Sequence, residues 1–217
     1  MLVCMAGPEI RVAGRGDIAQ TAQMLARAFG DDPVFGWFLP AEGSRHRRLR
    51  RYFTTELHHE SLSHSAVEVA HVEGHVAAAA VWFPPGTGSG TEVSALPGYL
   101  RAFGHRIGTV SRYQSVAVRT HPRDEPHWYL AIIGVDPLRQ GHGLGAALLR
   151  SRLRRCDQEG LAAYLESSKL ANVPLYQHFG FHVTGSLDLP EGAPVVNTMW
   201  RPANVRLARG RLSTSTE

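Results

Sequence analysis

Cysteine is nearly absent from these 217 residues. Cys4 and Cys156 are the only two, too far apart in sequence to form a disulfide framework and without metal-ligand spacing, so both read as free thiols. No apolar run approaches the roughly 20 residues that a membrane helix needs. The opening stretch MLVCMAGPEI has neither the basic region nor the apolar segment of a signal peptide. The expectation is a cytoplasmic chain with no membrane partner. Excess charge is small too: 23 Lys and Arg against 19 Asp and Glu leave a net +4. The surplus is concentrated in RHRRLRR (45–51) and RSRLRR (150–155). Neither run interleaves aromatics, and both sit in helical patterns whose leucines point inward, so they read as solvated helix faces and no nucleic-acid partner is expected. His58, His59, His64, His71 and His75 straddle a helix and a hairpin without an H-E-x-x-H spacing, so no metal site is expected.

What is present reads as alternating strands and helices. EIRVAG (9–14) alternates like a strand, and Asp17 stands where it would cap a helix carrying Ile18, Met24, Leu25 and Phe29 and ending at Gly30. DDPVFGWFLP (31–40) reads as a loop or broken turn with exposed aromatics, followed by a helix from 45 to about 64. AVEVAHVEGHVAAAAVWF (66–83) reads as two strands around the turn Glu73-Gly74. Residues 96–121 suggest one or two irregular helices. HWYLAIIGV (127–135) is uniformly apolar and belongs at the centre of a sheet. A helix to about 158, a strand LAAYLESS (161–168), a short helix from about 174 to 179 and strands near FHVTGSLDL (181–189) and VVNTMWR (195–201) complete the pattern. With no repeat and no long linker, one α/β domain over 1–202 and a disordered tail over 203–217 is the economical reading.

The richest segment is GVDPLRQGHGLGAALLRSRLRR (134–155), which places Gly141, Gly143 and Gly145 at alternate positions before a helix. Such a cluster suits phosphate, because bare N–H groups and a positive helix terminus bind anions together. It lacks the Gly-Lys-Ser/Thr of a triphosphate loop. Gly141, Gly143 and Ala146 also satisfy the G-x-G-x-x-A of dinucleotide folds, with Glu166 as ribose acid. That reading is weakened by DPLRQ, which separates strand from first glycine, and by the short chain left after Glu166.

The third reading uses the spacer. Val-x-Pro at a strand end, then Gln140-Gly141-His142-Gly143-Leu144-Gly145, resembles the Q/R-x-x-G-x-G/A pyrophosphate loop of the GNAT superfamily of N-acetyltransferases. The resemblance continues in order through AAYLESS and NVPLYQHFGF. With VVNTMWR these segments look most like the puromycin N-acetyltransferase branch. It covers residues 127–201 well and the earlier part loosely. It implies a GNAT-like α+β fold with a mixed, mostly antiparallel sheet flanked by helices, and acetyl-CoA as cofactor. It further implies a bulged strand that splays from its neighbour, with Ile133, Gly134 and Val135 lining the cleft. Arg139, Gln140, Gly141, His142, Gly143, Leu144, Gly145 and Ala146 would form the pyrophosphate loop, and Asn172 would touch the cofactor arm or merely cap a helix.

Tyr176 is the candidate proton donor to the departing thiolate, and Glu166 the candidate base for an amine that attacks directly through a tetrahedral intermediate. His127 is an outside candidate for that base. Asp31 and Asp32 would attract a cationic acceptor under a roof including Phe35, Trp37, Phe38, Tyr99 and Phe103, which favours a small-molecule amine over a protein lysine. A protein lysine acetyltransferase, a non-catalytic acyl-CoA-binding protein and, more remotely, a dinucleotide-dependent oxidoreductase stay open, as does a homodimer.

Overall fold

The structure, a computed structural model, describes residues 8–61, 66–87 and 93–204. Cys4, His64 and most of the C-terminal tail lie outside them.

Seven strands form one sheet in the order β1-β2-β3-β4-β5-β7-β6. They are β1 (Glu9–Val12), β2 (Ala66–Val72), β3 (His75–Phe83), β4 (His127–Val135), β5 (Ala162–Ser167), β6 (His182–Ser186) and β7 (Asn197–Arg201). Every pairing is antiparallel except β4 with β5. The expected mixed, mostly antiparallel sheet is therefore what forms, with HWYLAIIGV at its middle. Among the described residues seven α-helices flank it: α1 (Ile18–Ala28), α2 (Pro33–Phe38), α3 (Glu42–Thr55), α4 (Leu96–Phe103), α5 (Ile107–Thr120), α6 (Leu144–Glu159) and α7 (Val173–His178). The β2–β3 hairpin turns on Glu73 and Gly74, both left-handed at φ 53° and 78°, the two-residue geometry that matches strand twist.

The sheet separates two cores, and residue parity shows which side chains face which. Val67, Val69, Ala79 and Val81 face the core beneath α1–α5, while Ala70, Ala78, Ala80 and Trp82 face α6 and α7. On β4 the parity breaks. Trp128 and Leu130 belong to the α6 side, yet Ile132 belongs to the α1 side. Val81 pairs with Ile132 and Trp82 with Leu130, so Ala131 is an extra residue, and this bulge moves everything after it to the opposite face. Pairing of β4 with β5 ends at Leu130 and Leu165, and the two strands part beyond that point.

Two expectations need correction. Asp17 does not cap α1: its backbone is helical (φ −86°, ψ −14°) within a tight turn, and its carboxylate accepts from the Gly14 N–H at 2.8 Å and from the Arg11 guanidinium instead. DDPVFGWFLP is not a loop. Asp32 is extended and accepts from the N–H groups of Val34 (2.9 Å) and Phe35 (3.1 Å), and Pro33 occupies the first turn, so α2 is nucleated by a true N-cap. Its aromatics are not exposed: Phe38 is buried, and Phe35 and Trp37 are half-buried.

Candidate active site

The glycine turn follows directly from the strand before it. Asp136 directly follows β4, accepts from the Leu138 N–H (3.1 Å) and pairs with Arg27 of α1, so the turn at 137–139 is anchored to the core. Gly141 and Gly143 are then left-handed (φ 79° and 76°), a conformation other residues adopt only with strain. A Cβ at either would meet nothing within 4 Å, so space lies open above the turn. At Gly145 a Cβ would make only an ordinary contact, 3.4 Å from Val135 Cγ2. Gly134 is the tightest of the segment, since a Cβ would come within 2.8 Å of Leu25 and 3.1 Å of Ala28 on α1. Leu144, Gly145 and Ala146 open α6, where N–H groups lack helical acceptors.

The turn borders a cavity of about 1190 Å³ that occupies the gap between β4 and β5. Nineteen residues singled out for the site line it: Ile133, Gly134, Val135, Arg139, Gln140, Gly141, Gly143, Leu144, Gly145, Ala146, Asn172, Tyr176, Glu166, Asp31, Asp32, Tyr99, Phe35, Phe38 and Phe103. Two do not. His142 is exposed, with Nδ1 2.9 Å from the carbonyl of Gln140, and is not among the lining residues. Trp37 packs on Phe38 (5.5 Å between rings), and its carbonyl accepts from Arg106, because α2 turns this side chain off the cavity. His127, the outside candidate for a base, is buried and also off the cavity.

The carboxylates are differently employed. Glu166, near the end of β5, accepts from Tyr164 Oη at 3.2 Å and, more weakly, from Tyr129 Oη at 3.4 Å. Burial pushes its carboxyl up to about 6, and the two phenols only partly offset this. Asp31 pairs with the chain's one lysine, Lys169, at 2.6 Å, which lowers its pKa and cancels its charge. Asp32, besides capping α2, accepts from Ser168 Oγ; burial raises its pKa. Both carboxylates line the cavity expected to attract a cationic acceptor, but one is paired with Lys169 and the other caps α2.

Tyr176 lies on α7 with its ring against Phe181, and burial raises its phenol well above the ordinary value. Among the described residues its hydroxyl has no hydrogen-bond partner. Asn172 does not cap α7 with its side chain, because the turn Leu170–Asn172 runs into the helix with helical angles (φ −88°, ψ −16°), and the residue lines the cavity.

Several lining residues escape sequence reasoning. Tyr129 hides in the apolar run of β4, and Tyr52, Glu56, Tyr113 and His121 come from α3, α5 and their flanks. His121 donates from Nε2 to His127 Nε2 (3.0 Å), since His127 Nδ1 must carry the proton given to the Glu125 carbonyl (2.7 Å). Burial and the neighbouring His127 depress His121 to about 4, so it is neutral near pH 7.

The acetyltransferase (GNAT) family model matches residues 32–181, the span that holds the bulged strand, the glycine turn and the gap. The chain belongs to that family. An uncharacterized N-acetyltransferase of Schizosaccharomyces pombe is 29% identical over 176 residues, 76% of this chain and 70% of that protein. The crystal structure of a histone acetyltransferase HPA2 and related acetyltransferase from Corynebacterium glutamicum is 25% identical and superimposes with a TM-score of 0.71 over 91% of this chain and 97% of that one. An agmatine N-acetyltransferase shares the fold at 18% identity, with a TM-score of 0.56 over 91% of this chain and all of that one (100%). This GNAT chain contains no helix long and apolar enough to cross a membrane among its described residues. Nor do those residues bring three or more His, Cys, Asp or Glu together in a metal-holding group.

Proposed function

We propose that this chain transfers the acetyl group of acetyl-CoA to the amine of a small molecule. One observation carries the reading: the open glycine turn, the Glu166 carboxylate and the Tyr176 side chain all border a single cavity where β4 leaves β5. Acetyl-CoA supplies an activated thioester and a pyrophosphate. The N–H groups of Gly141, Gly143 and the first turn of α6 suit the pyrophosphate, since no Cβ fills the space before the two left-handed glycines. Beyond the bulge, the backbone of Ile133–Val135 has no partner on β5 and is available to the cofactor arm and to the oxygen that becomes negative as the amine attacks. Asn172 lines the same cavity and is the side chain proposed to meet that arm.

Glu166 is the base. With a carboxyl near 6 it is mostly ionised at pH 7 yet more basic than an exposed glutamate, which suits removing a proton from an ammonium. Tyr176 is the acid. A buried phenol holds its proton through ground state and attack and gives it to the sulfur as the tetrahedral intermediate collapses.

The acceptor is small because α2, α4 and α5 roof the gap. Phe35, Phe38, Tyr99, Phe103 and Tyr113 line it, and a covered pocket excludes a folded protein's surface. The likeness to the puromycin branch supports including aminonucleosides among the acceptors tested. The experiment is a panel of alkylamines, arylamines, aminonucleosides and lysine-bearing proteins with acetyl-CoA, reading free thiol. Small amines should release thiol. Efficient acetylation of a protein with every small amine inert would overturn the small acceptor. Tight acetyl-CoA binding without thiol release from any acceptor would leave an acyl-CoA-binding protein.

A further inference from the structure

His121 lines the same cavity, and the reaction described above does not use it. It ends α5, where its N–H donates to the Ala117 carbonyl at 2.8 Å and its extended backbone (φ −58°, ψ 126°) turns the chain out of the helix. The ring is held by three others: its centroid is 4.9 Å from that of His127, 5.0 Å from Tyr129 and 4.9 Å from Tyr164, the last two in edge contacts. Its polar atoms are fixed as well. The Glu125 carbonyl takes the His127 Nδ1 proton, His127 Nε2 therefore accepts from His121 Nε2, and His121 Nδ1 is left as a bare lone pair. The two phenols packed against the ring cannot fill it, because each gives its single proton to Glu166. Among the described residues Nδ1 has no hydrogen-bond partner.

Strand register says which part of the cavity this is. Tyr129 pairs with Tyr164, whereas Glu166 lies past the last pair, Leu130 with Leu165. The glycine turn follows the end of β4, beyond the parting of the strands. His121 therefore stands behind Glu166 as seen from the glycine turn, in the part of the cavity left to the acceptor. A neutral imidazole with a locked tautomer is a selective contact there: it accepts a proton and offers nothing to a carboxylate, carbonyl or ether oxygen. Burial and the neighbouring His127 depress the ring to about 4, so it does not become a donor near pH 7. A ligand that covers such an atom without donating to it strips away water and returns nothing. We infer that the acceptor carries, a short chain away from its reacting amine, a hydroxyl or N–H group that donates to His121 Nδ1. This rests on the acetyltransferase reading above and narrows its substrate class.

The test compares ω-amino alcohols with the 1-aminoalkanes in which a methyl replaces the hydroxyl, and with the methyl ethers of the same alcohols, measuring kcat and KM by thiol release. At the chain length that reaches His121, the amino alcohol should exceed both others in kcat/KM by roughly tenfold, the worth of one hydrogen bond whose loss leaves a covered acceptor unpaired. His121→Phe keeps a ring against Tyr129 and Tyr164 and removes the lone pair, so the preference for the alcohol should disappear, mainly through KM. His127→Phe releases the tautomer: His121 can then carry its proton on Nδ1, to which an ether oxygen accepts, so the alcohol-to-ether ratio should fall. A merely structural role for His127 would leave that ratio alone. Equal kcat/KM for alcohol, alkane and ether at every length in the wild type, or a preference that survives in folded His121→Phe, overturns the inference. If His121→Phe does not fold, an unchanged alcohol-to-ether ratio in His127→Phe overturns it equally. Aminoalkanes acetylated as well as amino alcohols would leave the acetyltransferase reading standing and remove only this one, whereas no thiol release from any amine would remove both.

Discussion

Burial acts on two ionisable groups of this cavity in ways that divide their labour. It holds the Tyr176 proton in place and raises the Glu166 carboxyl toward the working pH. Replacing Tyr176 by Phe keeps the ring against Phe181 and removes only the proton, so kcat should fall roughly 10²-fold while acetyl-CoA affinity barely changes. Steady-state kinetics with a cofactor-binding measurement checks this, and equal activity across pH would take Tyr176 out of the reaction. Glu166 gives a signed pH effect. Below about 6 its carboxyl is protonated and cannot accept a proton, so kcat/KM should climb as pH passes that value. Glu166→Gln should lose this limb and shift the remaining profile upward, toward the pKa of the amine itself, near 10.4 for an alkyl ammonium. Stability runs the other way. A carboxyl raised from 4.5 to about 6 favours the fold fully below 4.5, and that contribution is lost as pH rises through 6. Glu166→Gln should therefore be slower but more heat-resistant than the wild type above pH 6, measured by thermal melts across pH.

At the scale of elements, what could be read in advance was whatever local chemistry specifies. The hairpin at Glu73-Gly74, the apolar central strand and the glycine turn each carry their geometry in adjacent residues. The helix α2 does too, in Asp32-Pro33, but six residues are too few for periodicity to show, and so it reads as a loop. The bulge at Ala131 leaves no mark in composition, since HWYLAIIGV is apolar on both parities; only the family resemblance anticipates it. Tyr129 reaches Glu166 from the neighbouring parallel strand, and Glu56 meets Tyr99 from a separate helix, pairings that arise only once the sheet and roof are assembled. Gly134 shows the same limit. The sequence places it with Ile133 and Val135 along the cleft, and nothing local reveals that its missing Cβ also lets α1 approach β4. Gly134→Val should overpack Leu25, Ala28 and Phe29 and destabilise the fold by about 1–3 kcal/mol, which chemical denaturation would detect. No loss of stability would mean that α1 yields without cost.

At the scale of the whole molecule, the parting of β4 and β5 leaves the sheet joined by only four pairs of residues across its one parallel seam. The strands on one side are β1 to β4 and on the other β5, β7 and β6. A ligand in the gap touches both sides: the turn and α6 belong to the end of β4, while Glu166 and α7 follow from β5. Filling the gap replaces the missing strand pairing with contacts to both halves, and a ligand that binds only the folded state stabilises it by mass action. At a hundredfold excess over its Kd, acetyl-CoA should add about 2.7 kcal/mol, a rise in Tm of roughly 5–11 °C for a chain of this size. NAD and ATP, which share a pyrophosphate but lack the arm that fills the seam, should do little at the same concentration. Gly143→Val separates the turn's contribution from the fold's: its own Tm drops because φ 76° strains valine, but it should also lose most of the ligand-induced rise. An undiminished rise in that variant would place the pyrophosphate elsewhere, and an equal rise with NAD would mean that the seam is not what the ligand closes.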